Sequence, residues 1–113
     1  MIELNADIGE GWDDASLMPY LARVSIACGG HTGDAASMVA ALRLAAEFGV
    51  AVGAHPSYPD RAGFGRRALA ASGDDIAGWV TQQTEMLAEQ AARLGLRLAH
   101  VKPHGALYHV AAR

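Results

Sequence analysis

A single cysteine in 113 residues, Cys28, excludes an internal disulfide framework among these residues. That usage suits a reducing compartment, and the cytoplasm is the expected location. No apolar run is long enough to cross a bilayer. Met1 to Asn5 lacks the basic segment and following apolar stretch of a secretory leader, so none is expected. Basic residues are few as well: nine Lys and Arg stand against twelve Asp and Glu, giving a net charge of −3. The only adjacent basic pair is Arg66-Arg67, which leaves no electrostatic footprint for nucleic acid but keeps a local phosphate or carboxylate site open. With four prolines and no repeat, low-complexity tract or Pro-rich linker, nothing divides the chain, and residues 1–113 read as one domain.

What is present is an ordinary globular balance, 51% apolar and 19% charged, which argues against disorder. Four short apolar runs, Ile2 to Asn5, Val24 to Cys28, Val50 to Ala54 and Leu98 to Val101, each stop in a Gly or Pro turn carrying His, Asp, Glu or Lys. Between them the apolar spacing predicts a helix over 35–48, with Asp34 as N-cap and Gly49 as C-terminal cap. A second helix is predicted from the Ser72 to Asp75 capping box to about Leu94, closed by Gly95. Asp13 to Leu21 reads as a short irregular helix broken by Pro19, and Leu107 to Arg113 as the start of another. This alternation predicts an α/β fold of β/α units with parallel strands, which collects all four polar clusters at one carboxyl edge.

Asp7 and Glu10 flank Gly9; a close carboxylate pair can bind a divalent metal, divide acid and base roles, or merely solvate a turn. His31 stands between Gly30 and Thr32 in a loop whose three glycines allow close backbone approach to a ligand. In the same segment Cys28 reads as core and Asp34 as a cap. His55 precedes Pro56, which sets an extended exit from the third strand. Asp7, His31 and His55 together make a set suited to a borderline divalent ion. Lys102 is suited to a carboxylate or a developing oxyanion, and His104 to proton exchange near neutral pH; a solvated Lys and a helix-capping His are the plainer alternatives. His100 reads as part of the fourth strand. The irregular stretch His55 to Ala71 is long enough to cover or line a site. Within it Arg61, Arg66 and Arg67 flank Gly63-Phe64-Gly65, and one of the three, with Arg66 and Arg67 foremost, is a candidate carboxylate or phosphate clamp; Tyr58, with Phe64 and Tyr108, is a candidate pocket wall.

The strings from Leu4 to Gly11, Ile26 to Asp34, Gly53 to Asp60, Gly63 to Arg67 and Val101 to Tyr108 resemble the LamB/YcsF family, in order and across the chain from Ile2. The resemblance implies about half of a seven-stranded β/α barrel of the glycoside hydrolase/deacetylase type. It also implies a role as the A subunit of an ATP-dependent 5-oxoprolinase, opening 5-oxoproline to glutamate with partner subunits B and C. Asp7, Glu10, His31, His55, Lys102 and His104 fall on the family's motif positions. No Gly-rich loop ends in Gly-Lys-Ser or Gly-Lys-Thr, so ATP is expected to be bound by or with a partner.

The resemblance also implies two departures. His109 stands where the family usually has Asn, and members are about twice this length, so the chain is expected to be a fragment or a half barrel completed by another copy or chain. Two other readings stay open: a metal-dependent deacetylase or amidohydrolase on the same scaffold, and a truncated binding remnant without turnover.

Overall fold

The computed structural model describes residues 2–111. Its elements follow the order β1 (Asn5–Ile8), β2 (Arg23–Ala27), α1 (Ala35–Phe48), β3 (Ala51–His55), α2 (Gly73–Arg93), β4 (His100–Val101) and α3 (Gly105–Ala111), with a 3₁₀ turn at Met18–Tyr20 between β1 and β2. All neighbouring strands pair in parallel, and their order in the sheet is their order in the chain. Sequential parallel order is how the staves of a β/α barrel are laid down.

The register explains how one short sheet serves two purposes. Asp7 pairs with Ser25, Ser25 with Gly53 and Gly53 with His100, so these four form one row across the sheet. Side chains alternate along a strand, which puts His55 and Lys102, each two positions beyond that row, on the same polar face. The opposite face carries Ile8, Val24, Ile26, Val52 and Ala54, buried with Met38, Ala41, Leu42 and Ala45 of α1 and Leu87 and Ala91 of α2. The helices therefore cover the apolar face and leave the polar one to the site.

Local signals set the helices as the sequence predicts. Asp34 accepts from the Ser37 backbone N–H at 2.8 Å and Ser37 returns the bond to Asp34, while Gly49 ends α1 in the left-handed region at φ 67°. Ser72 and Asp75 form the same reciprocal box at the start of α2. The strand bounds differ from expectation. The first strand begins at Asn5 rather than Ile2, because register with β2 starts at Asn5 opposite Arg23 and Ile2 is 88% exposed. The fourth shrinks to two residues, with His100 inside it, and α3 starts at Gly105 rather than Leu107. Residues 112–113 of the last expected helix lie outside the described residues. Among the described residues no helix is long and apolar enough to cross a membrane.

His100 fills the space above Gly53: a Cβ there would collide with the imidazole. The ring's Nε2 meets Ser25 Oγ at 3.0 Å. Gly53→Ala is therefore expected to destabilise the chain by about 1–3 kcal/mol through overpacking, measured by urea denaturation. The penalty is expected to shrink sharply when His100→Ala is made first; an equal penalty in both backgrounds would show that the ring is not the obstacle.

Candidate active site

The strand ends and the loop after β3 bring six of the side chains singled out in the sequence into one cluster. Glu10 Oε2 lies 2.5 Å from His31 Nε2, 3.7 Å from His104 Nδ1 and 3.9 Å from His55 Nε2. His55 Nε2 is 3.1 Å from His104 Nδ1 and 3.4 Å from Asp7 Oδ2. The His31 and His104 rings stack with centroids 3.7 Å apart. Lys102 Nζ donates to Asp7 Oδ1 at 3.0 Å, forming a partly exposed ion pair beside the imidazoles.

Each imidazole is held from behind. His55 Nδ1 donates to the Lys102 carbonyl at 2.7 Å, and His104 Nε2 to the Phe64 carbonyl at 2.7 Å. Ser57 Oγ donates to the Tyr58 carbonyl at 3.1 Å and so accepts from His31 Nδ1 at 3.0 Å. Phe64 presents its carbonyl from a left-handed backbone at φ 53°, a strained conformation for a non-glycine residue. Gly65 follows at φ 68° and passes so close that a Cβ would meet His31 at 2.9 Å and His104 at 3.0 Å. The long loop thus presses directly on the imidazoles, as its length suggests.

Burial works to raise the Glu10 carboxyl, but the hydrogen bond to His31 and the charges of His31, His55 and His104 outweigh it and hold the group below its ordinary range. Burial drives His55 below the usual imidazole range, against the pull of Asp7 and the bond to the Lys102 carbonyl. Burial likewise lowers His104, against its bond to Phe64. The buried Cys28 thiol is pushed up to about 11 by burial, which makes it a core residue rather than a nucleophile.

Two residues escaped the sequence reading. Gln83 of α2 accepts from the Ser57 backbone N–H at 2.9 Å and donates to the Ser57 carbonyl at 2.7 Å, clamping the residue that holds His31. A polar residue on the same helical stripe as Leu87 and Ala91 was the available signal, since a buried amide demands partners. Ser57 itself carried no signal beyond its place after His55-Pro56.

Three expectations change. The set that converges is Glu10, His31, His55 and His104, whose ligand atoms all lie within 4.8 Å of one another; Asp7 stands beside it, with one carboxylate oxygen taken by Lys102. Arg67 is committed to a bidentate pair with buried Asp60, at 2.6 and 3.0 Å, which ties the loop to itself. Tyr58 is 2% exposed and packs edge-on against Trp79, so it does not wall the site. Arg66 is exposed, with its guanidinium 5.0 Å from the Phe64 ring centre, and lines a cavity of about 440 Å³ with Asp7, Glu10, Trp12, Phe64 and His104. A second opening of about 220 Å³ beside it is lined by Asp7, His55, Lys102 and Tyr108, with His109 at its rim.

Residues 2–113 match the sequence model of the LamB/YcsF family. The 5-oxoprolinase A subunit of Chloroflexus aggregans is 52% identical over 99% of this chain and 47% of its own length. That of Methylococcus capsulatus is 50% identical over 98% of this chain and 45% of its own. The crystal structure of a lactam utilization protein from Thermus thermophilus superimposes with a TM-score of 0.94 at 44% identity, covering 99% of this chain and 48% of that one. The chain spans about half the length of the curated relatives it matches.

The lowered imidazoles carry a pH signature. Folded His55 and His104 bind protons less readily than in the unfolded chain, so the stability they contribute is present above the unfolded imidazole value of about 6.5 and is lost as pH falls below it. Glu10, also lowered, adds a separate loss below about pH 4.5. In EDTA-containing buffer the melting temperature is expected to fall between about pH 7 and 5, and His55→Asn combined with His104→Asn should make that limb shallower, leaving the part due to His100, which burial also lowers. A flat profile for the native chain would contradict the assignment.

Proposed function

The chain belongs to the LamB/YcsF family, and from that premise we propose that it carries the lactam-facing site of the A subunit of an ATP-dependent 5-oxoprolinase, opening 5-oxoproline to glutamate. The observation that carries this reading is the juxtaposition, at one sheet edge, of a Lys102–Asp7 ion pair with Glu10 and three imidazoles, in a fold shared with a protein named for lactam utilization.

A five-membered lactam is an unreactive amide, so opening it asks for carbonyl activation, a base for water and compensation of negative charge. In this proposal Lys102 faces the developing oxyanion, with Asp7 orienting its ammonium. Glu10, kept ionised by His31, takes the proton from water, and His104 or His55 returns one to the leaving nitrogen. Arg66, at the rim of the larger cavity, holds the substrate carboxylate as a planar fork. The overall step consumes water and ATP and yields an amine and a carboxylate from one amide, with ADP and phosphate as the other products. ATP, in this reading, is bound by or with partner subunits B and C and activates the ring carbonyl, and the assembly works in the cytoplasm.

The convergence of three imidazoles and a carboxylate also favours a second reading, metal-dependent amide hydrolysis or deacetylation without ATP. Dependence on ATP separates the two. In the chain reconstituted with subunits B and C, Lys102→Ala and His31→Ala are expected to lower ATP-dependent glutamate formation by about 10²–10³-fold. Arg66→Ala is expected to act mainly on KM for 5-oxoproline. Retention of native turnover by Lys102→Ala and His31→Ala would overturn the assignment, and glutamate release without ATP would favour the second reading.

A further inference from the structure

We infer that Glu10, His31, His55 and His104 form a binding site for one borderline divalent transition ion of the zinc class, with Asp7 outside its ligand set. The argument rests on which imidazole nitrogens are already committed. His31 Nδ1, His55 Nδ1 and His104 Nε2 each donate to a protein oxygen, Ser57 Oγ, the Lys102 carbonyl and the Phe64 carbonyl. Ring nitrogens that donate on one side leave lone pairs on the other. Those lone pairs belong to His55 Nε2 and His104 Nδ1; His31 Nε2 gains one when the proton it shares with Glu10 leaves, and the three nitrogens lie with a Glu10 oxygen within 4.8 Å of one another.

Two neutral imidazoles so fixed cannot hydrogen-bond each other, yet His55 Nε2 and His104 Nδ1 face at 3.1 Å. A shared cation satisfies that contact. Hydrogen bonds from the far side of the ring are the usual support of metal-binding histidines, because they set tautomer and orientation. Here all three imidazoles have one, and His31's is backed by the Gln83 clamp on Ser57.

The spacing agrees. Ligands about 2.1 Å from a tetrahedral ion stand about 3.4 Å apart, and the contacts at 3.1, 3.7 and 3.9 Å bracket that separation. The Glu10–His31 contact, at 2.5 Å, has to open as an ion replaces its proton, and the stacked His31 and His104 rings have to splay for both planes to reach the ion. Three nitrogen donors and one oxygen favour Zn²⁺, Co²⁺ or a similar ion over Mg²⁺ or Ca²⁺, which take oxygen shells. Such an ion supplies Lewis acidity and an acidified water when bound. Asp7 differs because Lys102 holds one of its oxygens, and the other, although 3.4 Å from His55 Nε2, is not among the ligand atoms that all lie within 4.8 Å of one another.

The proposed ligands are the residues to which the lactam-opening reading gives its proton transfers, so the test reads metal rather than turnover and its failure is distinct from the failure of that reading. Titration of Zn²⁺ into the chelator-treated chain, followed calorimetrically, is expected to show one site. Glu10→Gln and His104→Gln, checked for folding by circular dichroism, should each weaken it a hundredfold or more, and Asp7→Asn less than tenfold. X-ray absorption at the zinc edge of the native chain is expected to count three imidazoles, a readout that needs no variant. Absence of a saturable site, a shell with fewer than three imidazoles, or a greater loss from Asp7→Asn than from Glu10→Gln would overturn it.

Discussion

Three hydrogen bonds made behind the imidazoles carry the rest of the site. The Lys102 and Phe64 carbonyls and the Ser57 hydroxyl each take a ring N–H, and each acceptor is itself held by the fold. Lys102 N–H bonds to the Ala54 carbonyl at the end of the β3–β4 pairing. Phe64 sits in the loop whose next residue, Gly65, is tied to the Asp60 carbonyl and in turn accepts from Ala106 at the start of α3. Ser57 is gripped by Gln83 from α2. Sheet, loop and helix each orient one ring.

This arrangement costs stability where it serves chemistry. His31 and His55 are 1% exposed, and a buried polar group without a partner costs roughly 1–3 kcal/mol. The backs of the rings are satisfied, while their fronts face one another and Glu10. Polar groups aimed at a common point are what a binding centre needs and what a core avoids. The same division explains the two faces of the sheet: Ile8, Val24, Ile26 and Val52 supply packing under α1 and α2, leaving the row Asp7, Ser25, Gly53 and His100 to the polar side.

Much of this was legible in the sequence, for identifiable reasons. The caps at Asp34 and Ser72 and the stop at Gly49 are local chemistry, and the helices follow them. The strand-to-turn punctuation placed Asp7, Glu10, His31, His55, Lys102 and His104 at one edge because parallel strands leave no other choice. What stayed hidden was pairing between distant residues. Nothing near Asp7 indicates that Lys102, 95 positions away, occupies it, or that Asp60 occupies the fork of Arg67. The ligand set drawn from strand ends therefore chose Asp7 where the structure converges on Glu10 and His104. Tyr58 was misjudged for a related reason: its loop turns it inward against Trp79, a contact set by the docking of α2.

The central claim is that hydrogen bonds behind the rings fix the three imidazoles so that His31 Nε2, His55 Nε2 and His104 Nδ1 face Glu10. Nitrogen-15 NMR of the imidazole rings in the metal-free chain at pH 8 tests it directly. The expected result is a proton on Nδ1 of His31, with Nε2 sharing its proton with Glu10, and a single neutral tautomer for the other two rings, protonated on Nδ1 in His55 and on Nε2 in His104. A proton on Nε2 of His55 or Nδ1 of His104, or rapid averaging between the two nitrogens of either ring, would contradict it.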